Sequence, residues 1–278
     1  MSVINTNINA LIAANASTVN GRTVASAMQQ LSTGRRINSA RDDSAGLAIS
    51  ETMTAQIRGL DMAVRNANDG ISLLQTAEGA MVEQTNMMQR MRELAVQAAS
   101  DTLSLDQKVY VDTEFQNLAT EIDRIGGNTQ WNSMNIMDAS GGQGSNGSFV
   151  FQVGANASQS ITVNIKNMAS SGSLSDLASL AVDTASNAGA AITAIDTALG
   201  VMATQRATLG GGINQLTYAS DNLMNISQNT TEARSRVLDT DYAAATSKLA
   251  KSQIIAQAAT AMLAQANQQP QSVLALLK

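Results

Sequence analysis

The 278-residue chain contains no cysteine, no histidine and a single proline, Pro270. The first two absences remove disulfides, thiol nucleophiles, histidine-based triads and most zinc or transition-metal sites. The scarcity of proline permits long uninterrupted helices. Aromatic residues make up 3% of the chain, with one Trp, three Tyr and three Phe. Ala, Leu, Ile and Met must therefore fill the interior, which suits close helix packing. No Lys or Arg precedes Arg22, so the basic region of a signal peptide is missing, and any secretion is expected to proceed without a cleaved one. No uninterrupted apolar run reaches the roughly eighteen residues of a transmembrane helix. The net charge of −5, with no basic patch, argues against nucleic acid as a partner.

Charge is also missing locally. Residues 1–21 and 252–277 hold no Asp, Glu, Lys or Arg, yet both ends carry helical periodicity. Ile4, Ile8 and Leu11 recur at steps of four and three. Leu249, Ile255, Ala259 and Met262 extend the same reading at the other end, followed by Val273, Leu276 and Leu277. Such spacing puts apolar groups on one helical face. The opposite faces hold Asn, Gln, Ser, Thr and Ala where exposed helices carry charge. The pattern predicts helices buried on several sides, in a monomeric bundle or against other copies of the chain. Asn and Gln favour the second reading, since they can pair between chains or face a wet channel without the cost of desolvating a charge. Open-ended growth from one chain requires a heterologous contact that does not close.

Between the ends the chain is charged and periodic. From about Ser44, Met53, Ile57, Leu60, Val64, Ala67, Ile71, Leu74, Glu78, Met81, Thr85, Met88, Arg92, Ala95 and Ala99 form a heptad seam with polar positions at 78, 85 and 92. A helix of about 55 residues would extend roughly 80 Å, which predicts a rod. Ser104 is a candidate N-cap for a second helix that Gly126-Gly127 would stop near Ile125. Residues 126–175 contain eight glycines and only Asp138 and Lys166 as charges. Within them, Ser148–Val153 and Ile161–Ile165 read as a β-hairpin, the one convincing β element. Periodicity returns near Ala185, with a seam of Ile195, Leu199, Met202, Arg206, Leu209, Ile213, Leu216, Ser220 and Leu223. Gly210-Gly211-Gly212 inside it predicts a local break or a close backbone approach.

The order is approximately mirrored, which predicts a mainly α fold: an elongated antiparallel helical rod or coiled coil with paired termini and one small β-hairpin region. The expected domains are an inner core from 1–43 and 235–278, a helical rod from 44–130 and 176–234, and a Gly/Ser/Asn-rich excursion of the rod at 131–175. Two charged clusters flank the uncharged ends: Arg35, Arg36, Arg41, Asp42 and Asp43, and Arg234, Arg236, Asp239 and Asp241. They read either as surface ion pairs of small value or as groups that orient a junction between two layers.

Several of these stretches match a known pattern. They are Leu31-Ser32-Thr33-Gly34-Arg35-Arg36-Ile37-Asn38-Ser39-Ala40, Asp42-Asp43-Ser44-Ala45-Gly46-Leu47-Ala48-Ile49 and Gln89-Arg90-Met91-Arg92-Glu93-Leu94-Ala95-Val96-Gln97. On the C-terminal side they are Ala233-Arg234-Ser235-Arg236-Val237-Leu238-Asp239-Thr240-Asp241-Tyr242-Ala243 and Ala264-Gln265-Ala266-Asn267-Gln268-Gln269-Pro270 with the tail through Leu277. On these motifs, over about residues 1–140 and 185–278, the sequence resembles bacterial flagellin in a minimal form without large outer domains. The resemblance implies a structural subunit that polymerises into the flagellar filament, used for motility and lying outside the cell, after export by the flagellar type III apparatus.

It implies a subunit-interface core at Ile4, Ile8, Leu11, Leu249, Ile255, Met262, Val273, Leu276 and Leu277, and junction roles for the two charged clusters. It further implies an axial-interface patch at Gln89, Arg90, Glu93, Leu94, Gln97 and Glu114 that a host Toll-like receptor reads on the free monomer. The plain alternative for that patch is an ordinary charged helix surface. The implied partners are further copies of the chain, hook-associated and cap proteins, and an export chaperone at the C-terminus. Neither nucleic acid nor membrane is expected. A hook–filament junction protein of the same superfamily is the alternative. No catalytic residue, cofactor or metal is assigned: an enzyme here would need carboxylates, Lys, Ser or Tyr, and Gly210-Gly211-Gly212 lacks the Lys-Ser/Thr of a phosphate loop. The Asn and Gln of the C-terminal helix disfavour membrane insertion.

Overall fold

Helix dominates the computed structural model of the chain, which describes residues 6–142, 144–169 and 172–275. The α-helices are α1 (Ile8–Thr33), α2 (Ser44–Ala98), α3 (Leu105–Asn128), α4 (Ala185–Leu238) and α5 (Tyr242–Ala275). The chain divides into two compact units. A terminal unit comprises residues up to Ala55 and from Asn229 onward, and a central unit comprises Gln56–Gln228.

In the central unit α2 and α4 run antiparallel. Arg92 Nε donates to Asp196 Oδ1 at 2.7 Å, Arg206 Nη2 lies 3.7 Å from Glu78 Oε1, and Ser227 Oγ donates to Asp61 Oδ1 at 2.9 Å. Residue numbers fall along one helix as they rise along the other. The polar seam positions 78 and 92 thus lie opposite polar partners on α4.

The third helix starts where Ser104 predicts. Ser104 Oγ accepts from Gln107 N, and Gln107 Oε1 accepts from Ser104 N, so both orphan donors are satisfied in a capping box. Its end differs from the expectation: α3 runs through Gly126-Gly127 to Asn128. Gly126 is buried, and a Cβ there would lie 2.6 Å from the Met168 carbonyl oxygen. This glycine serves a close backbone approach instead of a helix stop.

The expected hairpin is present as β3 (Ser148–Gln152) paired antiparallel with β4 (Ser160–Asn164), in the register Phe149 to Val163. A second, smaller one was missed. β1 (Gln130–Trp131) and β2 (Met134–Asn135) pair across Asn132 and Ser133, whose φ angles are 48° and 64°. Two positive φ values fit a tight two-residue turn of the primed type.

Gly210-Gly211-Gly212 lies within unbroken α4. A Cβ on Gly212 would meet Val163 Cγ2 at 2.8 Å, and one on Gly70 of α2 would meet the Phe151 ring at 2.8 Å. The β3–β4 hairpin therefore rests on both long helices at bare backbone. Around it lies one core that includes Leu74, Met81, Met88, Phe115, Ile122 and Met202. Gln84 sits fully inside, its Nε2 donating to the carbonyls of Ile122 at 2.9 Å and Met168 at 3.2 Å. That amide ties α2 to α3 and to the strand-flanking segment.

Candidate functional site

The terminal unit is built on small residues. Asn7 caps α1, its Oδ1 accepting from Ala10 N at 3.0 Å while its Nδ2 donates to the Ala266 carbonyl at 2.7 Å. Asn20 Nδ2 donates to the Ser252 carbonyl at 2.7 Å. These two amides staple α1 to α5 in antiparallel register. On α5 the more buried positions are Ala245, Leu249, Ser252, Ala256, Ala259, Leu263 and Ala266. Their steps of four and three are a heptad seam made mostly of Ala and Ser. On α1, Ala10, Ala14, Ser17, Asn20, Val24, Ala27 and Leu31 answer them.

The large apolar side chains point elsewhere. Ile8, Leu11, Ile12, Val19 and Met28 of α1 are exposed, Ile12 by 62%, as are Ile254, Ile255 and Met262 of α5. Ile12, Ile255 and Met262 line an open groove of about 540 Å³ together with Ala13, Ala16 and Ala259. Of the residues expected at the subunit interface, Ile8, Leu11, Ile255 and Met262 are thus exposed in the single chain. Leu249 is half-buried within the α1–α5 seam. Val273 falls within α5. Ile4, Leu276 and Leu277 lie outside the described residues. The signal for Asn7, Asn20 and Ser252, which the sequence reading did not single out, was the four-three spacing of small and amide residues.

Charged residues between the helices act on backbone. Gly34 ends α1 in the left-handed region (φ 69°), which a side chain rarely adopts. Its carbonyl accepts from Thr240 N at 3.0 Å, and Arg36 N donates to the Leu238 carbonyl at 2.7 Å. Arg35 and Asp239 thereby form an isolated antiparallel bridge. The Arg36 guanidinium donates to the Val237 carbonyl at 2.8 Å, at the negative end of α4. Asp43 Oδ1 accepts from Gly46 N at 2.9 Å, and Asp241 Oδ1 from Ala243 N and Ala244 N. Both carboxylates cap helix starts.

Asp42 Oδ2 accepts from the Ser39 hydroxyl and from the amides of Ser39 and Asn38. The hydroxyl bond, then the two amides, hold its pKa below the ordinary value. Arg234 Nη1 reaches Thr54 Oγ1 at 3.4 Å, while Arg41 and Arg236 are exposed. Among the described residues no salt bridge joins members of these clusters. Capping and carbonyl binding take the place of the surface ion pairs.

In the central unit, Arg90 Nε and Nη2 both donate to Glu114 Oε1, at 3.0 and 2.9 Å, and Nη1 donates to Glu93 Oε2 at 3.0 Å. The bond from Glu114, then that from Glu93, raise the Arg90 pKa above its ordinary value. Gln89 and Gln97 are exposed beside this cluster. Leu94 does not share that surface: it is 2% exposed and belongs to the core with Met91 and Ala95. Helix α3 covers the side of α2 that a two-helix seam would leave open. Among the described residues no group of acidic or sulfur and imidazole ligands could hold a metal, and no helix is long and apolar enough to cross a membrane.

The described residues thus form a mainly helical protein whose two terminal helices, linked by amide staples, present large apolar side chains outward. Residues 4–141 match the bacterial flagellin N-terminal helical region and residues 192–277 the C-terminal helical region. The chain is 44% identical to a flagellin of Halalkalibacterium halodurans over 99% of its own length and 100% of that protein. It is 42% identical to a flagellin of Bacillus subtilis over 99% of each. The crystal structure of Bacillus cereus flagellin superposes with a TM-score of 0.51 at 29% identity, over 57% of this chain and 88% of that one. The chain belongs to the bacterial flagellin family.

Proposed function

We propose that the chain is a structural subunit that polymerises by burying the outward faces of α1 and α5 against further copies of itself. One observation carries this reading. Among the described residues of the terminal unit, the only buried hydrophobics are Ala27, Ile37 and Ala245, whereas Ile8, Leu11, Ile12, Ile254, Ile255 and Met262 stay exposed. Two helices held by small residues retain little apolar burial of their own to offset the entropy of ordering them. Exposed faces of this kind mark interaction sites, and ordering coupled to association supplies the missing burial. With Lys251 as the one charge beside Ile254 and Ile255, and none along residues 252–277, that association carries little charge-desolvation cost.

On the same reading the polymer is the extracellular flagellar filament, and subunits reach it through the flagellar type III apparatus with a chaperone on the C-terminal segment. Hook-associated and cap proteins meet its ends. The capped turns around Asp42, Asp43, Asp239 and Asp241 orient the passage from terminal helices to the charged helices. The patch read by a Toll-like receptor on the monomer comprises Gln89, Arg90, Glu93, Gln97 and Glu114, with Leu94 supporting it from beneath. The deciding experiment removes residues 252–278 and measures elongation of filament seeds. Loss of elongation with the central unit still folded supports the assignment, and unchanged elongation refutes it.

A further inference from the structure

The methionines differ widely in exposure. Met81, Met88, Met91, Met137, Met168 and Met202 are fully buried in the central core. Met62, Met134 and Met224 of the central unit are exposed by 47%, 37% and 49%, and in the terminal unit Met262 is exposed by 64% and Met28 by 56%, the two highest values among the described methionines. Met262 also lines the apolar groove with Ile12 and Ile255. A thioether is oxidised where a reagent can reach it, and the sulfoxide is polar, chiral and poorly suited to apolar burial.

We propose that Met262 and Met28 are the oxidation-sensitive positions through which a hydroperoxide stops the free subunit from assembling. This rests on the reading that the outward faces of α1 and α5 are buried on polymerisation. The sulfur lone pair attacks one peroxide oxygen, the S–O bond forms as the O–O bond breaks, and proton transfer releases water from hydrogen peroxide or the alcohol from an organic hydroperoxide. Sulfur loses two electrons and the peroxide gains them. The product places an S=O dipole where an apolar thioether lay. The six core methionines are shielded, and a sulfoxide at the exposed Met62, Met134 or Met224 stays at the surface of the central unit, so the central fold remains intact and the lesion that matters falls on assembly. Once the face is covered in a polymer the same two sulfurs are protected. The lesion is reversible, because methionine sulfoxide reductases return the thioether.

The test treats full-length subunit and preformed filaments with hydrogen peroxide, maps oxidised sites by peptide mass and measures seeded elongation. In the free subunit, oxidation is expected at Met262 and Met28 ahead of the six core methionines, with both sites protected in filaments. Elongation affinity should fall about tenfold to a hundredfold per oxidised site, the equivalent of one lost buried Met side chain. The double variant Met28→Leu/Met262→Leu should elongate seeds after peroxide treatment as it does before.

If the treated double variant loses elongation as the wild type does, the proposal is wrong. Should that variant fail to elongate even untreated, reduction of the oxidised wild-type protein by the two epimer-specific reductases decides. Restored thioethers with restored elongation support the proposal, and restored thioethers without it overturn it. Failure of untreated wild-type subunit to elongate seeds refutes the filament reading itself, and this proposal with it.

Discussion

A single carboxylate placed on the outward face of α5 separates folding from assembly. Ile254 sits mid-helix, away from the helix ends where a charge would interact with the dipole, and it keeps 67% of its surface exposed in the chain. Ile254→Glu therefore gives up only about a third of the roughly 1.5–3 kcal/mol that full burial contributes, or about 0.5–1 kcal/mol of fold stability. Glu is also a good helix former, so propensity adds little to the cost. In an assembled state the same position would lose the remaining apolar burial and carry an ion out of water, for a combined cost of about 3–5 kcal/mol. That raises the critical concentration for elongation by roughly two to four decades. Urea unfolding of the monomer reads the first quantity, and seeded elongation across subunit concentrations reads the second. A critical concentration within about threefold of wild type, which is under 1 kcal/mol, would sink the claim that this face is buried on assembly.

The remaining expectations concern the central unit and the turns. Gly210→Ala and Gly211→Ala meet nothing within 4 Å and should each stabilise by about 0.5–1 kcal/mol. Gly212→Val, which drives a side chain into Val163, should destabilise by about 1–3 kcal/mol, and equal effects at all three positions in urea unfolding would contradict the seating of the hairpin. Gln84→Leu leaves the Ile122 and Met168 carbonyls without their shared donor and should cost about 1–3 kcal/mol, whereas Gln84→Glu, which sets a carboxylate against two carbonyl oxygens, should cost more. A reversed order by thermal or urea unfolding would contradict the assigned amide orientation. Asp42 has a folded pKa below its ordinary 3.8, so its stabilisation is complete above that value and is lost as pH falls through the lowered one. Asp42→Asn should flatten the acid limb of a stability profile, and an unchanged slope would remove Asp42 from the account.

Where local chemistry alone decides, the sequence was legible. Ser104 and Gln107 form the capping box their spacing predicts, and β3 pairs with β4 within a residue of the expected limits. The polar seam positions Glu78 and Arg92 made sense only once α4 supplied Arg206 and Asp196 opposite them. Leu94 lies outside the four-three seam yet is buried, because that seam describes one neighbour and α2 has more than one. Packing of α3 and the strand-flanking segment widens its buried stripe to Gln84, Met91 and Leu94. The β1–β2 pair has two residues per strand, too few for any periodicity to register.

The terminal helices taught a different lesson, because the periodicity there marked the side away from the intrachain seam. The eye follows Ile8, Leu11, Ile255 and Met262, the largest apolar groups, yet antiparallel pairing within the chain selects Ala, Ser and Asn. Close approach of two backbones favours small side chains, and an amide such as Asn20 can reach the Ser252 carbonyl across so narrow a gap. Choosing small residues inside forces large ones outside, since a helix offers each position one direction. A monomeric bundle would invert that choice, with Ile and Leu within and charge without. The outward Ile, Leu and Met on helices whose only charges are Arg22, Lys248 and Lys251 therefore favour burial against further copies over burial within one chain, on grounds that neither hydropathy nor spacing alone could supply.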